Sequence, residues 1–405
     1  MKKKYKVAII ENFPVYYRTP FIEKLSKNEN VYLKAFFGSD NSSENVYRSE
    51  ECDFKKGIKV ERETKIGDFD YEFLRDYNPK KKFFIRNIID SIRLIRRLKK
   101  DQYDAAIMHS YSPFMHKMVI IGLKLNGIPL IFKDVWDRID NKSKIKRVLK
   151  SMFLKIVLDD FVDAVLYTYS RSKKLYKKFG VADEKLFFSP CAVNNKFLRR
   201  EAKKLLKEGP SIKEKVGIKK DSKVILFVGK ITPRKRVFDI LRAYEKVSYE
   251  KEKSLLFVGS GIKEKEMMEK YIEKKGVKNV FFTGFKGQKD ISKYYSIADI
   301  FIVVSKYDPS PKVLFEAMNF SLPIIVGTDV GTADDLVRED VNGFKIKTGD
   351  LNSISKYIQN LLEDNKLRKN MGKKSLEIVQ SWNYDNAVKG ATKALNYVLR
   401  KKNGK

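Results

Sequence analysis

Two short segments carry residue types that could do chemistry. In the first, Asp299-Ile-Phe-Ile-Val-Val runs into Ser305-Lys-Tyr-Asp308-Pro-Ser310-Pro311-Lys312-Val313, and apolar residues resume at Leu314 and Phe315. The pattern predicts a strand, a short loop and a helix capped by Ser310, with Pro311 at the first helical position. The free N–H groups of such a helix start, with Lys312 beside them, form an anion site. Asp308 and Glu316 flank it with seven residues between them. Carboxylates there would repel an anion and suit the hydroxyls of a sugar attached to it. In the second segment, Val224-Ile-Leu-Phe-Val-Gly229-Lys230 leads to Arg234-Lys235-Arg236. Glycine lets the backbone approach a ligand closely, and Lys230 and Lys235 bracket the turn, which reads as a second phosphate clamp. An ordinary solvated turn in a lysine-rich chain is the alternative for that segment taken alone.

The chain has two histidines. His109 ends the apolar run Ala105–His109, so it is expected at the ligand-facing end of a strand, where a ring nitrogen could touch a hydroxyl; a structural role is the equal alternative. His116 falls in a predicted helix and receives no role. Asp134 and Asp137 follow the run Leu130–Phe132 and are further candidates on such an edge. Cys52 and Cys191 are too few for a disulfide framework and lie at no metal-ligand spacing, which reads as a cytosolic chain with no metal site. No nucleophile elbow, H-E-x-x-H or P-loop occurs.

The elements that position these residues are short apolar strands alternating with longer amphipathic helices, the mark of parallel α/β sheets. Strands are expected at Lys6–Ile10, Val31–Phe36, Ala105–His109, Leu130–Phe132, Ala164–Tyr167 and, at an edge, Lys185–Phe188. A second set is expected at Val224–Val228, Ser254–Val258, Val280–Thr283, Ile300–Val304, Ile324–Val326 and Gly343–Ile346. Two doubly wound domains follow, 1–195 and 221–381. The lysine-dense 196–220, which contains Gly209-Pro210, serves as the hinge region. Residues 382–405 read as a C-terminal helix, whose packing back onto the first domain is left open. Ser39–Tyr77 is polar and mixed, a loop region with a little strand. The candidate residues stand just after strands, where such sheets bind ligands across a cleft.

Length and charge narrow the classes further. A chain of 405 residues that is 43% hydrophobic and 12% aromatic is folded rather than disordered, and long enough for two domains. Lysines precede Val7–Ile10 as in a signal peptide, but that apolar stretch stops at Glu11, so it reads as a buried strand. No stretch is long and apolar enough for a membrane span. The net charge of +34 is spread over both halves, with no basic tail, zinc-finger spacing or RNP-type strand, which argues against nucleic acid. Two stretches concentrate it. Lys80–Lys100 holds nine basic residues against Asp90 alone, and Lys142–Lys155 holds six against none, each with isoleucine-rich or mixed apolar residues at helical spacing. Such helices either pack on a sheet with a solvated basic face or attach to an anionic bilayer surface.

Three motifs together carry a family resemblance: the G-K-x-x-x-x-K turn at Gly229–Lys235, the pair Asp308 and Glu316, and Leu322-Pro-Ile-Ile-Val-Gly-Thr-Asp-Val-Gly331 followed by Asn342-Gly343-Phe344. Over Lys223–Trp382 the chain resembles the retaining glycosyltransferases of family 4 (glycosyl transferases group 1), and before that only through its strand rhythm. The resemblance implies an α/β GT-B fold, two Rossmann-like doubly wound domains facing across a cleft. It implies an acceptor in the first domain, a nucleotide-sugar donor in the second, and no metal or cofactor beyond that nucleoside-diphosphate sugar as co-substrate. Lys230 and Lys235 would hold the diphosphate with Gly229 and the helix start Ser310, Pro311, Lys312 and Val313. Glu316 would hold the ribose, Asp308 the transferred sugar, and Gly284, Phe285 and Lys286 would lie near the base. The catalytic candidates are then Lys230, Lys235 and Asp308, to which strand-end position alone adds His109, and likewise Asp134 and Asp137 on the acceptor side. The acceptor would attack from the face the leaving group departs, while the lysines and helix end stabilise the growing diphosphate charge.

The departures are specific. The family commonly has Arg at the place of Lys230, Glu at that of Asp308 and an aromatic-glycine pair where Ser310-Pro311 stands, so a different donor-sugar pocket is expected. Asn12-Phe13-Pro14 replaces a glycine-rich loop, and Lys133-Asp134-Val135-Trp136-Asp137 stands where many relatives place a histidine. The expected function is hexosyl transfer without metal to a glycan, read as lipid-linked, in cell-surface polysaccharide or glycoconjugate synthesis. The expected location is cytoplasmic, with peripheral attachment to the inner face of the cell membrane left open. The alternatives are a nucleotide-sugar epimerase of the same fold and a non-catalytic nucleic-acid-binding protein.

Overall fold

The computed structural model describes residues 4–15, 17–38, 66–74, 84–110, 114–139 and 143–404. Cys52, Lys80, Lys81, Lys82 and Lys142 lie outside the described residues. The chain forms two compact units: the described residues up to Cys191 together with the C-terminal helix, and Ala192–Asn383.

The first unit is built on β1 (Tyr5–Glu11), β2 (Val31–Phe37), β3 (Asp70–Phe73), β4 (Ala105–His109), β5 (Leu130–Lys133), β6 (Ala164–Tyr167) and β7 (Leu186–Phe188). They form one parallel sheet in the order β3-β2-β1-β4-β5-β6-β7. Side chains alternate across a strand, so a strand buried on both faces must be apolar throughout. Accordingly Val7 and Ile9 join one core, while Ala8 and Ile10 join the other. The first core is closed by the helix Tyr384–Asn403, which contributes Ala387, Ala391, Leu395 and Val398. That helix packs tightly on the sheet edge: a Cβ on Gly390 would lie 1.9 Å from the Phe188 carbonyl oxygen.

The second unit holds β8 (Lys223–Val228), β9 (Lys253–Val258), β10 (Val280–Phe282), β11 (Ile300–Val303), β12 (Ile324–Gly327) and β13 (Gly343–Ile346). Its sheet is parallel as well, in the order β10-β9-β8-β11-β12-β13. Strand order reverses between β1 and β4 in one sheet and between β8 and β11 in the other. These are the switch points at which loops splay apart and ligands enter.

Strand β3 is the little strand expected within Ser39–Tyr77; Asp-Tyr-Glu-Phe has the polar alternation of an edge strand. The hinge region carries helices that were not expected. Residues 196–220, read as a hinge, contain the helices Asn195–Leu205 and Gly209–Val216 of the second unit. Leu198, Leu205 and Ile212 are the buried anchors there, and Pro210 sits in the first turn of its helix, where a missing N–H costs nothing.

Candidate functional site

In the second unit, three strand-end loops converge. After β8 the backbone turns at Gly229 (φ 150°), whose N–H donates to the Val258 carbonyl at 2.9 Å. The turn after β9 nests beneath it: a Cβ on Gly259 (φ 153°) would lie 1.8 Å from the Gly229 carbonyl oxygen, and one on Gly261 would lie 2.0 Å from that of Ile231. Sequence reasoning passed over Gly259-Ser260-Gly261, although two glycines at a strand end were the available signal. Gly284, in the turn expected near a base, accepts the Gly259 N–H at 3.0 Å and so joins the same layer. Phe285 and Lys286 beside it are half-buried.

The loop after β8 continues into a single tight turn, Pro233–Lys235, ended by Arg236 in the left-handed region. It is tied to the loop after β11 by the Lys306 N–H on the Arg234 carbonyl (2.8 Å) and by Arg234 Nη1 on the Tyr307 carbonyl (2.6 Å). Between these ties, Lys235 Nζ is ion-paired with Asp308 Oδ2, and both side chains are nearly buried. The loop after β12 completes the junction, since Gly331 N–H donates to the Asp308 carbonyl at 2.8 Å. Lys230 is half-buried at the mouth of the β8 turn.

The helix beyond Asp308 runs Lys312–Asn319 and starts one residue later than expected. Pro311 has ψ 119°, outside the helical range, and is itself the N-cap, so Ser310 does not cap. Its Oγ is buried without a partner, as are the hydroxyls of Ser305 and Thr332. Buried hydroxyls cost free energy when unpaired, so three in one unit's strand-end loops are suited to a polar ligand. Lys312 and Val313 lead the helix, half-buried. One turn on, Glu316 is buried and accepts the Tyr295 hydroxyl at 2.8 Å. Burial raises its carboxyl above the usual range, against the opposing Tyr295 hydrogen bond and the charge of Lys312.

In the first unit, the ends of β1, β4 and β5 gather a second cluster. His109 Nδ1 lies 2.9 Å from Glu11 Oε1, and Arg18 Nη1 lies 3.0 Å from Glu11 Oε2. Lys133 donates to Ser189 Oγ at 2.7 Å and rests 4.5 Å from the centre of the Phe21 ring. Burial alone would raise Glu11, but His109, Arg18 and Lys133 outweigh it and hold the carboxyl at about 2. Burial pushes His109 down, only partly offset by Glu11. Burial likewise raises Asp134, which with Asp137 is half-buried just past β5. His116 is structural, since its Nδ1 contacts the Ser110 carbonyl at 2.8 Å and braces the left-handed turn that follows His109. Glu11, Arg18 and Lys133 were not singled out from sequence. Among the described residues no three His, Cys, Asp or Glu side chains are grouped to hold a metal.

Two Rossmann-like parallel sheets with glycine turns and a lysine-carboxylate junction define a chain of the GT-B fold. Residues 209–377 match the model of the glycosyl transferases group 1 family. An uncharacterized glycosyltransferase of Methanocaldococcus jannaschii is 29% identical over 183 residues, 44% of this chain and 46% of that protein. The alpha-monoglucosyldiacylglycerol synthase of Acholeplasma laidlawii is 25% identical over 265 residues, 62% of this chain and 65% of that protein. The chain thus spans between about half and two thirds of the length of these relatives. The solved structure of Anabaena HepE in complex with UDP superimposes with a TM-score of 0.72 at 14% identity, covering 96% of this chain and 99% of that one. At that identity the likeness is one of fold.

Proposed function

We propose that the protein is a retaining, metal-independent glycosyltransferase that moves a sugar from a nucleoside diphosphate to a glycan acceptor, itself lipid-linked. The observation that carries this reading is the junction at Asp308. A cation, a carboxylate, a helix start and an unpartnered buried hydroxyl meet there at the switch point of the second sheet. In this reading the diphosphate lies against the helix start at Lys312 and Val313, with Lys230 and Lys235 neutralising it. As the bond to the sugar breaks, negative charge grows on the leaving oxygen. Charges and dipoles already fixed in place stabilise it without reorganising. Asp308, held by Lys235, accepts hydroxyls of the transferred sugar, and Glu316 accepts those of the ribose. The departing phosphate takes the acceptor's proton as the acceptor attacks from the same face, so the configuration is kept. His109 and Glu11 serve the acceptor side, with Asp134 and Asp137 beside them. Burial disfavours the charged form of His109, against the pull of Glu11, which suits a ring nitrogen that shares a hydroxyl proton. The Anabaena neighbour's complex makes UDP the first nucleotide to try, and the Acholeplasma relative's name supports an acceptor carrying a lipid.

A thermal-shift panel with UDP, GDP, ADP and diphosphate tests the donor side. A ligand at about a hundred times its Kd stabilises the folded state by roughly 2.7 kcal/mol. For a unit of nearly two hundred residues that raises Tm by about 5–10 °C. The matching sugar nucleotide, offered with glycolipid acceptors in chelator, should then give product of unchanged anomeric configuration. No shift with any nucleotide would remove the donor assignment, and inverted product or an absolute metal requirement would overturn the mechanism.

A further inference from the structure

The two basic amphipathic helices of the first unit are alike in sequence and bury their apolar faces to different extents. In the helix Phe84–Lys100, Leu94 and Leu98 are fully buried, and Arg97 is paired with Glu72 and Asp101. That helix gives Leu94 and Leu98 to the unit's own core and leaves only Ile89 (42%) and Ile92 (39%) as exposed large apolar side chains among its described residues. In the helix Lys144–Ile156, the only side chain buried is Leu154. Its apolar stripe of Ile145, Val148, Leu149, Met152, Phe153 and Ile156 faces solvent, with Ile145 73% and Leu149 60% exposed. Positions 145, 149, 152 and 156 recur at three- and four-residue spacing and so form one continuous face. Leu154 points the other way and pins the helix to the body of the unit.

The stripe has neighbours of its own kind. Lys117, from the helix Phe114–Leu125, lies 5.5 Å from the Phe153 ring centre, and Ile121 and Leu125 follow it at four-residue spacing, Leu125 80% exposed. Contiguous exposed apolar surface of this extent marks an interaction site rather than ordinary surface. The charges around it name the partner. Lys144, Lys146, Arg147, Lys150 and Lys155 share the helix with no acid, and the first acids, Asp159 and Asp160, come only beyond its end. A protein partner would meet such a stripe with apolar residues and acids at fixed places. A sheet of anionic head groups over acyl chains meets both the stripe and its unpatterned basic border at once.

We infer that the helix Lys144–Ile156 is a membrane-docking element that lies in the interface of an anionic bilayer. Its apolar face enters the acyl boundary and its lysines stay at head-group level. The element has 13 residues with its apolar side chains on one face, which suits attachment parallel to the surface. The helix Phe84–Lys100 has no part in it. The inference is independent of the transferase reading, because its test uses no sugar donor.

The test is co-sedimentation of the full chain with vesicles of phosphatidylglycerol mixed into phosphatidylcholine, against phosphatidylcholine alone. Native protein should sediment with the anionic vesicles and be released by salt. Lys146→Gln with Lys155→Gln should weaken partitioning about twenty-fivefold, at roughly fivefold for each basic residue near the surface. Leu149→Gln with Met152→Gln should weaken it about tenfold or more, since binding scales with the apolar area inserted. Both pairs should melt as native does, the residues being exposed, while Ile89→Gln with Arg96→Gln should leave vesicle binding unchanged. Absence of native binding, equal binding to neutral vesicles, or undiminished binding of the Leu149 and Met152 variant would each overturn the inference. So would sedimentation velocity showing that this variant splits a native oligomer, since a second copy would then cover the stripe.

Discussion

Replacing Lys235 by Met keeps much of the side chain's volume and removes its charge. Asp308 then remains as a nearly buried carboxylate without its partner, the two side chains being 10% and 14% exposed in the pair. Removing one member of such a pair costs about 3–5 kcal/mol, because the surviving charge keeps its desolvation penalty and loses the attraction that offset it. At about 2–4 °C per kcal/mol for a unit of this size, Tm should fall by roughly 6–20 °C. Adding Asp308→Asn removes the stranded charge, so the double variant should recover most of that loss. Nucleotide binding behaves differently. The cation is gone in both variants, so neither should show the ligand-induced rise in Tm, and turnover should fall by about 10²–10³, as when one charge-stabilising donor is lost. Differential scanning fluorimetry of the three proteins, with and without nucleotide, separates the two effects. A Tm for Lys235→Met within about 2 °C of native would refute the buried pair. A nucleotide response retained in the double variant would refute the placement of Lys235 at the diphosphate.

Two further outcomes are expected. Glu11 is held at about 2 against an ordinary 4.5, so the unfolded chain takes up the proton first as the pH falls, and the stabilisation present above about pH 4.5 is lost on the way to pH 2. Glu11→Gln should therefore melt below native at pH 7, with the gap closing toward pH 2; a gap independent of pH would dismiss the charge cluster around His109. Gly259→Ala drives a methyl group into the Gly229 carbonyl oxygen at a backbone conformation that disfavours side chains. It should lower Tm by about 5 °C or more and abolish the nucleotide response, and a variant that melts and binds as native does would mean the two turns do not nest.

The strands were legible because parallel sheets covered on both sides demand runs such as Val-Ala-Ile-Ile and Ile-Phe-Ile-Val, which few other environments tolerate. The residues at their ends could be found for the same reason. What could not be read was pairing at a distance. Glu11 looked like the residue that stops an apolar run, and only the adjacency of β1 and β4 sets it against His109, far along the chain. The Ser310 cap failed locally, since the loop geometry that frees its hydroxyl depends on tertiary ties at Asp308. Helical periodicity shows that a face is apolar and not which way it points, so Lys80–Lys100 and Lys142–Lys155 read identically. The helices within 196–220 were hidden by lysines, whose aliphatic stems can cover a helix without leaving an apolar signature.

The return of the helix Tyr384–Asn403 to the first unit bears on how the chain is made. β1 is made long before this helix, yet the face of the sheet carrying Val7 and Ile9, which Phe21, Ile22 and Leu25 cover in part, is completed only when Ala391, Leu395 and Val398 follow. The second unit, Ala192–Asn383, is a continuous stretch and can close while the first is still open. The second unit's core can thus be completed before the first's, and a chain stopped just short of Tyr384 should hold a finished second unit and a first unit whose sheet is covered only in part on one face.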